Sequence, residues 1–219
     1  MFSKKESMKV KGIAILLLLF HHLFYNVQRV DESGIEFIYI KMELVQVAAV
    51  IARICVWLFV FVSAYGLTYQ YIQDRGKNKC KFIFRRWISL MSTFWFIYPF
   101  VFALLCFAKS SPMEKYENNI FYLILDLFGW ADFFGTPMLT GVWWYLCFGQ
   151  ILILFIPFVN VLCEKLGWSS FLVVFIIMQY LPDGIKSMNG GRYSNYFLVV
   201  VLAVLCCRNL VFDKILEKK

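Results

Sequence analysis

Lys11-Gly12-Ile13-Ala14-Ile15-Leu16-Leu17-Leu18-Leu19-Phe20-His21-His22-Leu23-Phe24-Tyr25 opens on the last of four lysines, after Lys4, Lys5 and Lys9, and runs apolar as far as two adjacent histidines. A basic segment before a short apolar core has the form of a signal peptide. No A-x-A cleavage pattern follows, however, and the histidines and aromatics carry the helix onward, so the stretch reads as an uncleaved first membrane span.

The rest of the chain repeats the pattern. Of its 219 residues, 61% are apolar and 16% charged, against about 25% charged in ordinary soluble domains. The apolar residues fall into blocks of the length needed to cross a hydrocarbon core of about 30 Å. The reading is an all-α integral membrane protein, a single domain over 1–219, with about six transmembrane helices at 11–28, 44–71, 86–108, 142–162, 168–182 and 195–212. The segment 120–134 is short and carries Asp126 and Asp132, so an interfacial or re-entrant helix is expected there and not a crossing.

Charge placement gives an orientation. With both termini cytoplasmic, the inner segments 1–11, 72–86, 163–167 and 206–219 hold 15 of the 22 Lys and Arg, including Lys77 in the 72–86 loop. The outer loops 26–43, 109–141 and 182–195 hold six, and Arg53 lies within the second span. That is the bias of a multi-pass protein of the plasma membrane with inward-facing ends. The net charge of +8 is accordingly topological: the basic residues form no long face or arm for nucleic acid. The seven cysteines show no CxxC spacing, so neither a disulfide nor a metal site is expected. No GxSxG, Walker loop or HExxH is present, which leaves hydrolase, nucleotidase and metalloenzyme readings without residues. The short Gly-rich stretch Lys186–Gly191 reads as a loop.

Ionisable residues inside spans are costly and point to function. Lys11 and His22 are eleven residues apart, three helical turns plus about 20°, so they share one face about 16 Å apart while His21 points about 80° away. Arg53 lies in Val47-Ala48-Ala49-Val50-Ile51-Ala52-Arg53-Ile54-Cys55-Val56-Trp57-Leu58 with no acidic residue closer in sequence than Glu43, at a depth expected to match that of His22. Arg85 and Arg86 open the third span with forks suited to phosphate oxygens. Each has a plainer reading: hydrogen bonding to a neighbouring helix for His22, snorkelling for Arg53, and topological anchoring for Lys11 and the arginine pair.

At these residues the chain resembles acyltransferase family 3, the bacterial multi-span membrane O-acyltransferases. The first helix of that family carries a basic residue, ten intervening residues and a histidine, which fits Lys11 through His22. Arg53-Ile54-Cys55-Val56-Trp57-Leu58-Phe59-Val60-Phe61-Val62-Ser63-Ala64-Tyr65-Gly66-Leu67 is similar to the family's arginine and phenylalanine-rich run, with Ala64 for a usual glycine and Trp57 for a frequent proline. Phe82-Ile83-Phe84-Arg85-Arg86-Trp87 resembles the basic entry to the third helix, Ser89 standing where a further arginine is common. Val142-Trp143-Trp144-Tyr145-Leu146 resembles a Trp-Phe-Leu stretch, with Gly149 at a position often held by glutamate. The family domain usually has about ten spans, so the expectation is a short member, incomplete at its C-terminal side.

The resemblance implies transfer of an acyl group, most often acetyl, from an acyl-CoA such as acetyl-CoA at the cytoplasmic face to a hydroxyl of a surface polysaccharide or lipid-linked sugar, with the bilayer as the protein's other partner and no metal. It assigns His22, Lys11 and Arg53 to catalysis and Arg85 and Arg86 to the donor. The rival expectations are a transporter or glycan-lipid flippase subunit, in which the same residues line a path, and an inactive remnant.

Overall fold

The computed structural model describes residues 3–32, 34, 41–74, 78–107, 111–180 and 193–217. Lys77, most of the expected outer loop 182–195 with its Gly-rich stretch, and the last two residues of the expected fifth span lie outside them.

Helix α1, Lys4–Phe24, begins seven residues before the expected span because Ser3 and Glu6 form a capping box: the Ser3 hydroxyl accepts from the Glu6 amide and the Glu6 carboxylate from the Ser3 amide. Two otherwise orphaned donors are thereby satisfied. The helix stops at Phe24, and a separate short helix, α2 (Val27–Glu32), takes up the remaining residues.

The second expected span is two helices, α3 (Met42–Ile51) and α4 (Ile54–Gln73), joined at Ala52–Arg53. At the joint the amides of Arg53, Cys55 and Val56 bond to carbonyls three residues back, those of Val50, Ala52 and Arg53, at 3.0–3.1 Å. This is local 3₁₀ tightening of a run that is otherwise α-helical.

Helix α5 (Lys79–Phe107) contains Pro99 and starts seven residues earlier than predicted. Three short helices follow, α6 (Pro112–Lys115), α7 (Ile120–Leu127) and α8 (Ala131–Phe134). A 3₁₀ turn at Gly141–Trp143 then leads into α9 (Trp144–Leu166). The backbone turns at Gly167 (φ +54°) before α10 (Ser170–Gln179). The last expected span divides into α11 (Phe197–Arg208) and α12 (Val211–Leu216), with Leu210 at φ +50° between them.

Four helical stretches, Lys5–Phe24, Met42–Gln73, Lys79–Phe107 and Gly141–Gln179, are long and apolar enough to cross a membrane. The fourth holds both the fourth and fifth expected spans on either side of Gly167, while α11 is apolar but only 12 residues long. In segment 120–134, α7 and α8 would be about 12 Å and 6 Å long at 1.5 Å per residue, too short to cross about 30 Å of hydrocarbon.

The core forms where α11 lies against α4, with α9 and α10 beside it. Ala64 and Ala203 are fully buried among Val60, Val200 and Val204, the small-residue contact that lets membrane helices approach closely. Helix α1 packs along α3 and α4, and α5 packs along α9.

Candidate active-site cavity

Helices α4 and α9 run in the same direction and α5 runs against them. The N-terminal half of α1 borders the same space, and together they line an open cavity of about 860 Å³. One end is polar and is called here the basic end: Lys11 of α1, Gln70 of α4 and Arg86 of α5 line it, with Ser3 and Ser7. Arg86 lays its guanidinium over the Phe82 ring at 5.9 Å, which leaves its edge free for other partners. Arg86 Nε and Gln70 Oε1 are buried and have no hydrogen-bond partner among the described residues. An unmet buried donor is costly, and the residue that carries it lines the cavity together with Lys11.

At the far end Ser63 and Tyr145 meet across the cavity with their hydroxyl oxygens 3.4 Å apart, and Val142 and Trp143 complete the wall. The stretch between the two ends is lined by Gly66, Leu90 and Gly149.

The structure separates the residues that the sequence had grouped. Lys11 and Arg86 share the cavity, but Arg85 is paired with Asp74 at the surface, both side chains about half exposed. Helix α1 is unbroken from Lys11 to His22, so His22 points the way Lys11 does from about 16 Å farther along. His22 is exposed and lies beyond the cavity lining. The histidine that touches a neighbouring helix is His21, whose Nδ1 donates to the Ala49 carbonyl at 2.8 Å. Arg53 is exposed at the α3–α4 joint. Among the described residues no hydrogen bond joins it to His22, and Ala49, the partner of His21, lies about 6 Å nearer the start of that helix pair.

A folded cap, α6–α8, packs against α5 and α9. Asp126 on α7 is buried and accepts through one oxygen, Oδ2, from the Tyr116 hydroxyl (2.6 Å) and the Leu139 amide (2.9 Å), while Tyr116 is also bonded to Tyr98 of α5 at 2.8 Å. Burial raises the Asp126 carboxyl above its ordinary range against the opposing pull of these two donors, and burial also raises the Tyr116 hydroxyl. The buried amide of Gln150 on α9 ties the turn after α7: Nε2 donates to the carbonyls of Phe128 (2.9 Å) and Gly129 (3.2 Å), and Oε1 accepts from Trp87 Nε1 (2.8 Å). Trp95 Nε1 donates to the Leu127 carbonyl at 2.9 Å, and Tyr193 donates to Asp132.

Sequence reasoning passed over Gln70, Ser63, Tyr145 and Gln150. A signal was available for two of them: Ser63 and Gln70 share one face of α4 with Gly66 at helical spacing. Tyr145 lies in the Val142–Leu146 stretch, whose resemblance to a Trp-Phe-Leu motif does not single it out. The role of Gln150 depends on tertiary partners that no local pattern announces.

A family model described as an acyltransferase domain matches residues 10–215. No curated protein and no solved structure matches the chain. Among the described residues no group of His, Cys, Asp and Glu is arranged to hold a metal ion.

Proposed function

The chain belongs to acyltransferase family 3 and is an acyltransferase, and from that premise we propose that it moves an acyl group, acetyl in the simplest case, from cytoplasmic acyl-CoA to a hydroxyl of a cell-surface glycan or lipid-linked sugar. The observation that carries this reading is the convergence of Lys11 and Arg86, from helices far apart in sequence, on one cavity where a guanidinium nitrogen is buried without a partner. A phosphate is a fitting guest there, because its oxygens accept from both cations. The positive-inside bias supports a cytoplasmic basic end, from which the donor would enter.

In the transfer itself the acceptor oxygen forms a bond to the thioester carbonyl carbon and the carbon–sulfur bond breaks. The acceptor's proton passes to a base and then to the departing thiolate. His22 is the residue proposed for that proton, since imidazole accepts and returns one near neutral pH. It sits in register with Lys11 on the side from which an outer-face acceptor would come. Arg53 is proposed to stabilise the negative charge that develops on the carbonyl oxygen. Arg85, already neutralised by Asp74, is assigned a lesser share of the donor's charge than Arg86.

The test is coenzyme A binding to the purified chain in nanodiscs. Lys11→Ala and Arg86→Gln should each weaken it by about tenfold or more, the loss of one charge-assisted contact, whereas Arg85→Ala should change it less than about threefold. Equal losses at Arg85 and Arg86 would remove the cavity from the argument.

A further inference from the structure

Gly66 is in the interior of α4, where glycine is less favourable than alanine by about 1 kcal/mol. Nothing local repays that cost. Its backbone is helical, and a Cβ built there would meet nothing within 4 Å. No neighbouring helix requires a glycine for close approach, so what the missing side chain supplies is space, and the space belongs to the cavity.

Helix rise fixes the level of that space. Gly66 is about 4.5 Å past Ser63 towards the basic end and about 6 Å short of Gln70. Gly149 lies about 6 Å past Tyr145 in the same direction on α9 and lines the same cavity. A Cβ on Gly149 would come within 3.3 Å of Leu90 Cδ2, which ties the third wall to the same level. The cavity thus has a cationic end, a middle bounded by two glycines and a leucine, and a far end bearing two hydroxyls.

We propose that Gly66 keeps open a passage for the slender pantetheine arm of coenzyme A, which runs from phosphates held at Lys11 and Arg86 towards the Ser63–Tyr145 end. The inference rests on the donor reading above and adds to it a residue that admits the arm without touching the phosphates. Coenzyme A matches the shape in having a phosphate-rich head and a narrow, uncharged, flexible arm. An anionic phospholipid shares part of that chemistry, so the test must separate the two.

The full chain is placed in phosphatidylcholine nanodiscs, with and without phosphatidylglycerol, and titrated with coenzyme A and with adenosine 3′,5′-bisphosphate, which has phosphates but no arm. Gly66→Ala, suited to a helix and small enough for the open space, should fold at least as well as wild type and bind both probes. Gly66→Leu should weaken coenzyme A about tenfold or more while leaving the bisphosphate within about twofold. Thermal unfolding of each variant without ligand checks that the fold persists. If Gly66→Leu binds coenzyme A as wild type does, or loses both probes equally, the passage is refuted while the donor site stands. If wild type binds neither probe, the donor reading falls and the passage with it. Displacement of coenzyme A by phosphatidylglycerol in wild type and Gly66→Leu alike would make the cavity a lipid site and overturn the proposal.

Discussion

His21 donates from Nδ1 to the carbonyl oxygen of Ala49 at 2.8 Å, joining α1 to α3 across 28 residues of sequence. A carbonyl only accepts, so the ring proton is held on Nδ1. The adjacent His22 is exposed, with its ring 5.4 Å from that of His21. Two neighbouring histidines therefore have different surroundings, and substitution should separate their roles. His21→Ala removes an interhelical hydrogen bond and should lower thermal stability by about 1 kcal/mol, with reduced abundance in the membrane. His22→Ala should leave abundance near normal and abolish acyl transfer. Measured together in membranes, equal losses of abundance would return both residues to a packing role.

Much of this arrangement is legible in one dimension, and the reasons for the remainder are physical. Apolar blocks of bilayer length announce α1, α4, α5 and α9 because every span solves the same solvation problem. Asp126 and the brevity of segment 120–134 announce a helix that does not cross. The early start of α1 was also readable, in the box Ser3-Lys4-Lys5-Glu6, but the lysines drew the reading towards topology. The joint at Arg53 was not readable, because no Gly or Pro marks it and the tightening shows only in which carbonyl each amide selects. Nor could spacing divide Arg85 from Arg86. They differ by one helical step of about 100°, and only the fold reveals that one step faces Asp74 and the other the cavity.

Gly129 gives a second prediction, of opposite character to Gly66. Its φ is +71°, and a Cβ there would stand 2.6 Å from Gln150 Nε2 and 2.8 Å from Leu146 Cδ2. Gly129→Ala therefore carries both backbone strain and a collision with the amide that ties the cap to α9, and should destabilise the protein by about 1–3 kcal/mol. Thermal unfolding in detergent measures the loss, which Gln150→Ala should reproduce in part.

Asp126 makes the stability of the cap depend on pH. Burial raises its carboxyl above the ordinary value of 3.8, so the folded state holds the proton more tightly than the unfolded chain does. The sign follows: this group's contribution is most favourable in acid, declines as pH rises from about 4 through the raised value, and is constant above it. Asp126→Asn does not titrate, and its amide oxygen can accept from both Tyr116 and Leu139, since both bond to one oxygen in the parent. It should flatten the pH dependence of thermal unfolding and be at least as stable as wild type at neutral pH. Asp126→Ala, which strands the Leu139 amide, should lose about 1–3 kcal/mol. A wild-type profile that rises through the same range would reverse the assignment.

The last prediction concerns Arg53, which sits where α3 passes into α4 through three tightened hydrogen bonds. A guanidinium at the centre of a span costs about 2.5–3.5 kcal/mol on insertion scales, and Arg53 has no ion pair or hydrogen-bonded partner on its side chain among the described residues, where it is exposed. Two explanations differ in what they demand of the side chain. Snorkelling to headgroups needs only reach and charge, and lysine has both, so under that explanation Arg53→Lys would retain activity as well as abundance. Stabilising a carbonyl oxygen in the transition state uses the planar fork, which an ammonium cannot reproduce. Abundance in the membrane should accordingly survive Arg53→Lys, because the charge and stem are kept, while acyl transfer normalised to protein level should fall by about tenfold or more, the equivalent of about 1.4 kcal/mol in the barrier. The joint supplies an internal control. If Arg53 acted only through the geometry of the α3–α4 turn, Arg53→Ala, a good helix former, would leave transfer intact, and that result would exclude the residue from the chemistry.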